Sequence, residues 1–367
     1  MTVKRSFPIF LITISVLFAH RAAAQSGVSV SARAAVLMTA DGDVLFEKAS
    51  DERLPMASTT KIMTALAVLE NASLDDTVTV TKESAGIEGT SLYMSEGDTS
   101  TVRDLLYALM LKSANDAASA LACHTSGTEA DFVRLMNRKA FTLGLDGTSF
   151  SNPHGLPSDG HYTTAYDLAR LTAAALENEE FRTVVSTKEY VVTLNGTDKR
   201  PVRNHNRLLF TYDGAIGVKT GFTKSSGRCL VTAAEREGVT LIAVTLDDPD
   251  DWRDHRAMLD YGFDGVVCRV LFEEGAFHRE IGFLGAGSIS VTNTERIVKT
   301  VRRGEQLSYS VCADRFLSPP VFKGDAAATL VVRCGDSVVG KYPLVSEEDV
   351  IIREDRTLLD KLKDLLD

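Results

Sequence analysis

At 367 residues the chain is long enough for two domains and a large core. Its 44% apolar and 25% charged residues fit an ordinary soluble globular protein and exclude disordered, collagenous and polytopic membrane compositions. A formal net charge of −10, with no basic stripe, leaves no electrostatic footprint for nucleic acid.

The first 24 residues differ in kind from the rest. Lys4 and Arg5 make a basic start, residues 7–19 are almost wholly apolar, and Ala22-Ala23-Ala24 supplies small residues for cleavage. Such an apolar run falls short of the roughly 20 residues a spanning helix needs, so residues 1–24 read as a secretory signal peptide cut after Ala24. Cleavage takes the charge from −10 to −13, because Lys4, Arg5 and Arg21 leave with no acid, and the 343 remaining residues (367 − 24) work outside the cytoplasm.

The mature chain opens on a hairpin, with strands over 34–39 and 44–46 and Asp41-Gly42 at the turn. From Ser58, a residue type favoured at helix starts, Ile62, Met63, Leu66 and Leu69 recur on one helix face. Further helices are expected over 102–111, 116–123, 131–143 and 165–176. The period then changes to strands over 190–194, 215–220, 229–234 and 239–246. Helices between an early hairpin and late strands predict an antiparallel sheet with helices on its faces, closing near Phe263.

Short alternating segments over 288–291, 297–301, 307–311, 328–332 and 338–342 predict a small β-rich domain. The expected division is therefore signal peptide 1–24, α/β domain 25–264, β-rich domain 265–350 and tail 351–367. In the tail Leu358, Leu359, Leu362, Leu365 and Leu366 share one face of a helix, which suggests peripheral membrane contact. Its mixed charge and lack of an aromatic anchor favour a solvated or docked helix instead.

Five scattered cysteines with no Cys-x-x-Cys spacing exclude a disulfide scaffold and a zinc finger. Cys123 and Cys229 read as core residues, and Cys312 with Cys334 could pair in an oxidising compartment. His154 and His161 lie seven apart in a turn-rich segment, but no zinc spacing occurs and a structural loop role is favoured.

Three short motifs carry chemistry. Ser58-Thr59-Thr60-Lys61 places a hydroxyl and an amine one helical turn apart, so nucleophile and base would touch. Ser113-Ala114-Asn115 follows 55 residues after Ser58 (113 − 58), at a junction of two helices. Lys219-Thr220-Gly221 follows 161 residues after it (219 − 58), at the end of a strand. A lysine at its reference pKa of about 10.4 is a poor base at neutral pH, so Lys61 must be depressed by burial or by a second cation. Ser113 can relay a proton, and Asn115 offers an amide to Lys61 and to substrate. Gly221 lets a backbone approach the strand, while Lys219 and Thr220 offer charge and a hydroxyl to a carboxylate.

In the order and context of these motifs the chain resembles the penicillin-recognising serine enzymes, most closely the low-molecular-mass penicillin-binding proteins that are D-alanyl-D-alanine carboxypeptidases. The likeness extends to Pro55-Met56-Ala57, residues 101–106, 152–156 and 161–165, and Asp260-Tyr261-Gly262-Phe263. It implies a β-lactamase/transpeptidase-like domain followed by a β-rich one, Lys219 in the same cleft as Lys61, and an oxyanion hole from the backbone N–H groups of Ser58 and Phe222. It also implies peptidoglycan stem peptides ending in D-Ala-D-Ala as substrate, β-lactams as covalent inhibitors, and no metal or organic cofactor. Many relatives carry an arginine for the substrate carboxylate after the last sheet hairpin. Here that stretch is altered, and Arg253 is the candidate.

A class A β-lactamase needs a glutamate after the middle motif, and residues 140–170 contain none. A bifunctional wall synthase would need more chain. D,D-endopeptidase activity uses the same machinery and stays open, whereas a non-catalytic wall-binding protein has no need of a matched nucleophile and base.

Overall fold

The computed structural model describes residues 27–282, 288–313 and 320–351. Residues 1–24, expected to be a signal peptide, and the tail beyond residue 351 lie outside the described residues.

Strands Val44–Lys48, Ala34–Thr39, Val239–Leu246, Gly227–Arg236 and Ala215–Thr223 lie side by side in that order as one antiparallel sheet. Ala34–Thr39 is buried along its whole length, which its unbroken apolar run anticipates for a strand covered on both faces. One face packs on Ile62, Met63, Leu66, Leu105, Leu121, Phe132 and Leu168. The other packs on Met258 and Leu259 of the helix Asp251–Gly265. The fold is thus α/β, an antiparallel sheet flanked by helices.

Local sequence fixes the helix ends. Thr101, Thr128 and Thr164 accept the backbone N–H of Asp104, Asp131 and Asp167, and Asn178 accepts that of Phe181, each cap being worth about 1 kcal/mol. Helix Lys61–Asn71 is buried on every side from Lys61 to Val68, as expected of a helix that is apolar all round.

Three departures from the sequence reading bear on the site. The single helix expected over 102–111 is an α-helix Val102–Tyr107 followed by a wide π turn Ala108–Lys112, which ends with Ser113 in the left-handed region at φ 67°. Lys219-Thr220-Gly221 lies within the edge strand Ala215–Thr223 rather than at its end. Helices Glu179–Ser186 and Asp251–Gly265 went unread, as did the strand Asp198–Arg203, whose Pro201 suits the exposed hairpin it forms with Glu189–Leu194.

Beyond Gly265 the chain is β-rich. Val266–Phe272 pairs with Ile297–Arg302, and a five-stranded sheet runs His278–Gly282, Ser288–Thr292, Ser337–Ser346, Ala326–Cys334, Leu307–Ala313 around Ile289, Val291, Leu330, Val332 and Leu344. Lys299 ties this part to the first hairpin, 3.1 Å from Asp41 and 3.3 Å from Asp43. The pairing of Cys312 with Cys334 is not formed. Cys312 stands opposite Thr329 and Cys334 opposite Leu307, about 17 Å apart along the ladder, and all five cysteines are free. Among the described residues, no helix is long and apolar enough to cross a membrane.

Candidate active site

Ser58 sits in a 3₁₀ turn, Ala57–Thr60, that leads into helix Lys61–Asn71. The turn is held by its own threonines: Thr59 Oγ1 donates to the Met56 carbonyl at 2.6 Å and Thr60 Oγ1 to the Ala57 carbonyl at 2.7 Å. Ala57 itself is left-handed at φ 47°, a strain of roughly 1–3 kcal/mol that the surrounding structure must impose. Two glycines make the close approach feasible. A Cβ on Gly155, at φ +91°, would lie 2.0 Å from the Ala57 carbonyl oxygen, and one on Gly221 would lie 3.0 Å from the Ser58 nitrogen. The Lys219-Thr220-Gly221 strand therefore crosses directly beside the Ser58 N–H.

Lys61 is completely buried. Its Nζ lies 3.0 Å from Ser58 Oγ, 2.7 Å from Asn115 Oδ1 and 2.5 Å from the His154 carbonyl oxygen. Asn115 is oriented by its Nδ2, which donates to the Glu88 carbonyl at 2.6 Å and so turns Oδ1 toward the lysine. A neutral amine has two hydrogens and one lone pair. The two carbonyl oxygens, which can only accept, take both hydrogens and leave the lone pair to the Ser58 hydroxyl.

The electrostatics favour that state. Burial above all, and then the charge of Lys219, hold Lys61 well below the ordinary lysine range, opposed by Asp116. Asp116 is itself buried and accepts the backbone N–H groups of Leu92 and Met94, each at 3.0 Å. Lys219 is also buried and is pushed down to about 7 by desolvation, with its Nζ donating to the Thr220 carbonyl at 2.9 Å. Neither lysine has an ion-pair partner among the described residues.

Ser58, Lys61, Asn115 and Gly221 thus converge, with Lys219 close enough to act on Lys61. Ser113 is buried beside them, and its hydroxyl bonds no other described residue. Thr220 is half-buried, and Phe222 stands 66% exposed opposite Arg228. Arg253 is not drawn into this group. It lies on the helix that covers the other sheet face, 3.0 Å from Asp250 and 3.1 Å from Asp254.

The sequence missed the carbonyls of Glu88 and His154, and the buried acid Asp116. Only Asp116 had a signal, adjoining the middle motif. His161 holds the Ser58 turn through a fixed tautomer. Its Nδ1 accepts the Ser151 N–H at 2.9 Å, so Nε2 carries the hydrogen toward Thr60 Oγ1 at 2.8 Å. Burial first, and then Lys61, pushes His161 down to about 4 and His154 to about 3, so both are neutral. A cavity of about 300 Å³ opens beside Ala57, Gly155, Leu156, Thr223 and Ser225.

A hydroxyl 3.0 Å from a buried amine whose pKa is held down, beside backbone N–H groups and an exposed strand edge, has the parts that serine acyl transfer needs. A profile of the family described as D-alanyl-D-alanine carboxypeptidase matches residues 19–250, and the chain belongs to that family. It is 33% identical over 334 residues to the D-alanyl-D-alanine carboxypeptidase DacF of Bacillus subtilis, covering 87% of this chain and 86% of the relative. The crystal structure of penicillin binding protein 5 from Haemophilus influenzae is similar with a TM-score of 0.75 at 26% identity, over 89% of this chain and 99% of that one. A D-alanyl-D-alanine endopeptidase of Escherichia coli is 34% identical over 210 residues, 55% of this chain and 66% of the relative.

Proposed function

We propose that the enzyme removes the terminal D-alanine of peptidoglycan pentapeptide stems through an acyl-enzyme on Ser58. Lys61 takes the Ser58 proton as Oγ bonds the carbonyl carbon of the penultimate D-alanine. The N–H groups of Ser58 and Phe222 hold the resulting oxyanion; losing one such donor typically costs about 10² to 10³ in rate. Ser113, whose hydroxyl has no other described partner, gives its proton to the nitrogen of the departing D-alanine and takes the one held by Lys61, which returns to its neutral state. A water then gives its proton to the neutral Lys61 as it attacks the ester carbon, and Lys61 returns that proton to Ser58 Oγ as the ester bond breaks. Asn115 and the Thr220-Gly221 edge align the peptide, and Lys219 supplies charge to its carboxylate. β-Lactams enter the same path and remain on Ser58.

The observation that carries this reading is a buried Lys61 with no acidic partner among the described residues, its nitrogen 3.0 Å from Ser58 Oγ. The wild type should be labelled by a fluorescent penicillin and should release D-alanine from diacetyl-L-Lys-D-Ala-D-Ala, and Ser58→Ala should do neither. Labelling without D-alanine release would assign the chain to endopeptidase or transpeptidase chemistry.

The residue boundaries 25–264 for the catalytic domain and 265–350 for the β-rich one belong to the same proposal, as does export with cleavage after Ala24. So does peripheral membrane contact by the tail, which cell fractionation with and without residues 353–367 tests.

A further inference from the structure

A carboxypeptidase must receive the carboxylate of the residue it removes, and a buried or half-buried anion requires a cation that is not already spent. Arg253 is spent on Asp250 and Asp254 and is 65% exposed on the far side of the sheet. Lys112 is different. It is half-buried, it closes the π turn immediately before Ser113, and it has no carboxylate or hydrogen-bond partner among the described residues.

Its surroundings are built rather than accidental. Its Nζ stands 6.0 Å from the ring centroid of Tyr93. Tyr93 is 77% exposed yet held in the left-handed region at φ 58°, with the peptide N–H groups on either side of it, those of Leu92 and Met94, both bound by Asp116. On the other flank the His205 N–H donates to the carbonyl of Leu111, next to Lys112, at 3.2 Å. The His205 ring is depressed by burial and then by Lys219 and Lys112, so both amines lie near enough to act on it.

We propose that Lys112, rather than Arg253, is the residue that with Lys219 receives the terminal carboxylate of the substrate, with Tyr93 as the wall that holds it in place. The assignment rests on the Ser58-centred mechanism above. Ser113 must reach the nitrogen of the departing D-alanine, and the carboxylate of that same residue is one carbon farther on. The cation adjoining Ser113 is therefore on the side of the cleft where the carboxylate arrives.

The test compares diacetyl-L-Lys-D-Ala-D-Ala, whose only carboxylate is the terminal one, with its C-terminal amide. Lys112→Met should lower kcat/KM for the acid roughly 10- to 100-fold, mainly through KM, and leave the amide within about twofold. Lys112→Arg should restore most of the preference for the acid. Equal losses on acid and amide would make Lys112 structural, and an unchanged acid-to-amide ratio, or loss of the ratio in Arg253→Met instead, would overturn the assignment. A third peptide bearing an extra carboxylate upstream completes the set: an effect of Lys112→Met confined to that peptide would also overturn it. Failure of the wild type to take up penicillin at Ser58 would count against the mechanism and not against this residue.

Discussion

Lysines are buried in two regions of this molecule and are handled in opposite ways. In the cleft, Lys61 and Lys219 are held by carbonyl and amide oxygens, and both are pushed down in pKa. Between the two parts of the chain, Lys299 is 7% exposed, and burial alone would push it down too. There Asp41 and Asp43 more than reverse that pull and raise it. The difference is the partner, not the depth. A lysine that must stay charged is given carboxylates, and one that must surrender its proton is given neutral acceptors and a second cation.

The largest expected effect follows from giving the cleft what the junction has. Asn115→Asp puts a carboxylate where Oδ1 now lies 2.7 Å from Lys61 Nζ, which should hold the amine charged. Acylation by a fluorescent penicillin at pH 7 should fall about 10²- to 10⁴-fold, the span usually assigned to a positioned general base. Asn115→Ala loses the same bond to the Glu88 carbonyl without adding charge, so it separates packing from electrostatics. The aspartate variant should regain rate as pH rises, and the alanine variant should not. Equal defects with equal pH profiles would show that the charge state of Lys61 is not what Asn115 protects.

An effect of intermediate size lies in the acid limb of stability. His161 and His154 are folded as neutral rings, at about 4 and about 3, below the roughly 6.5 of an unfolded chain. As pH falls below about 6.5 the unfolded state takes up protons first, so the stability these rings contribute is full above that value and is lost as pH falls toward 4. For His161 alone the loss amounts to roughly 3 kcal/mol. Thermal melts at pH 7, 5.5 and 4.5 should show the midpoint falling steadily, and His161→Asn should flatten the dependence. A midpoint unchanged between pH 7 and 4.5 would contradict the neutral, buried state of both rings.

Much of this was legible before any coordinates. The strands 34–39 and 239–246 and the helix 165–176 read to the residue, because an unbroken apolar run or a threonine cap marks each end. Ser58, Lys61, Asn115 and Lys219 were legible as types at a spacing. What held them in register was not. The carbonyls of Glu88 and His154 orient Asn115 and Lys61, and any residue supplies a carbonyl, so no letter announces them. The π turn before Ser113 was hidden because one extra residue in a turn leaves the apolar period almost intact. Arg253 was chosen by its place after the sheet, and its two aspartates reveal their pairing only once the helix Asp251–Gly265 brings them alongside.

The smallest effect concerns the junction and runs the other way in pH. Because Lys299 is raised in the folded chain, its contribution is complete below the ordinary lysine value near 10.5 and fades as pH climbs past it. Asp41 and Asp43 remain about half exposed, at 45% and 48%, so removing the amine leaves them largely hydrated. Lys299→Met should therefore cost only about 1 kcal/mol at pH 7, seen as a small drop in melting temperature, and should leave penicillin acylation unchanged. The gap to the wild type should narrow as pH rises beyond the ordinary lysine value and the native amine loses its charge. If acylation slowed as well, the orientation of the β-rich part would have to reach Ser58, and the two lysine environments would not be independent.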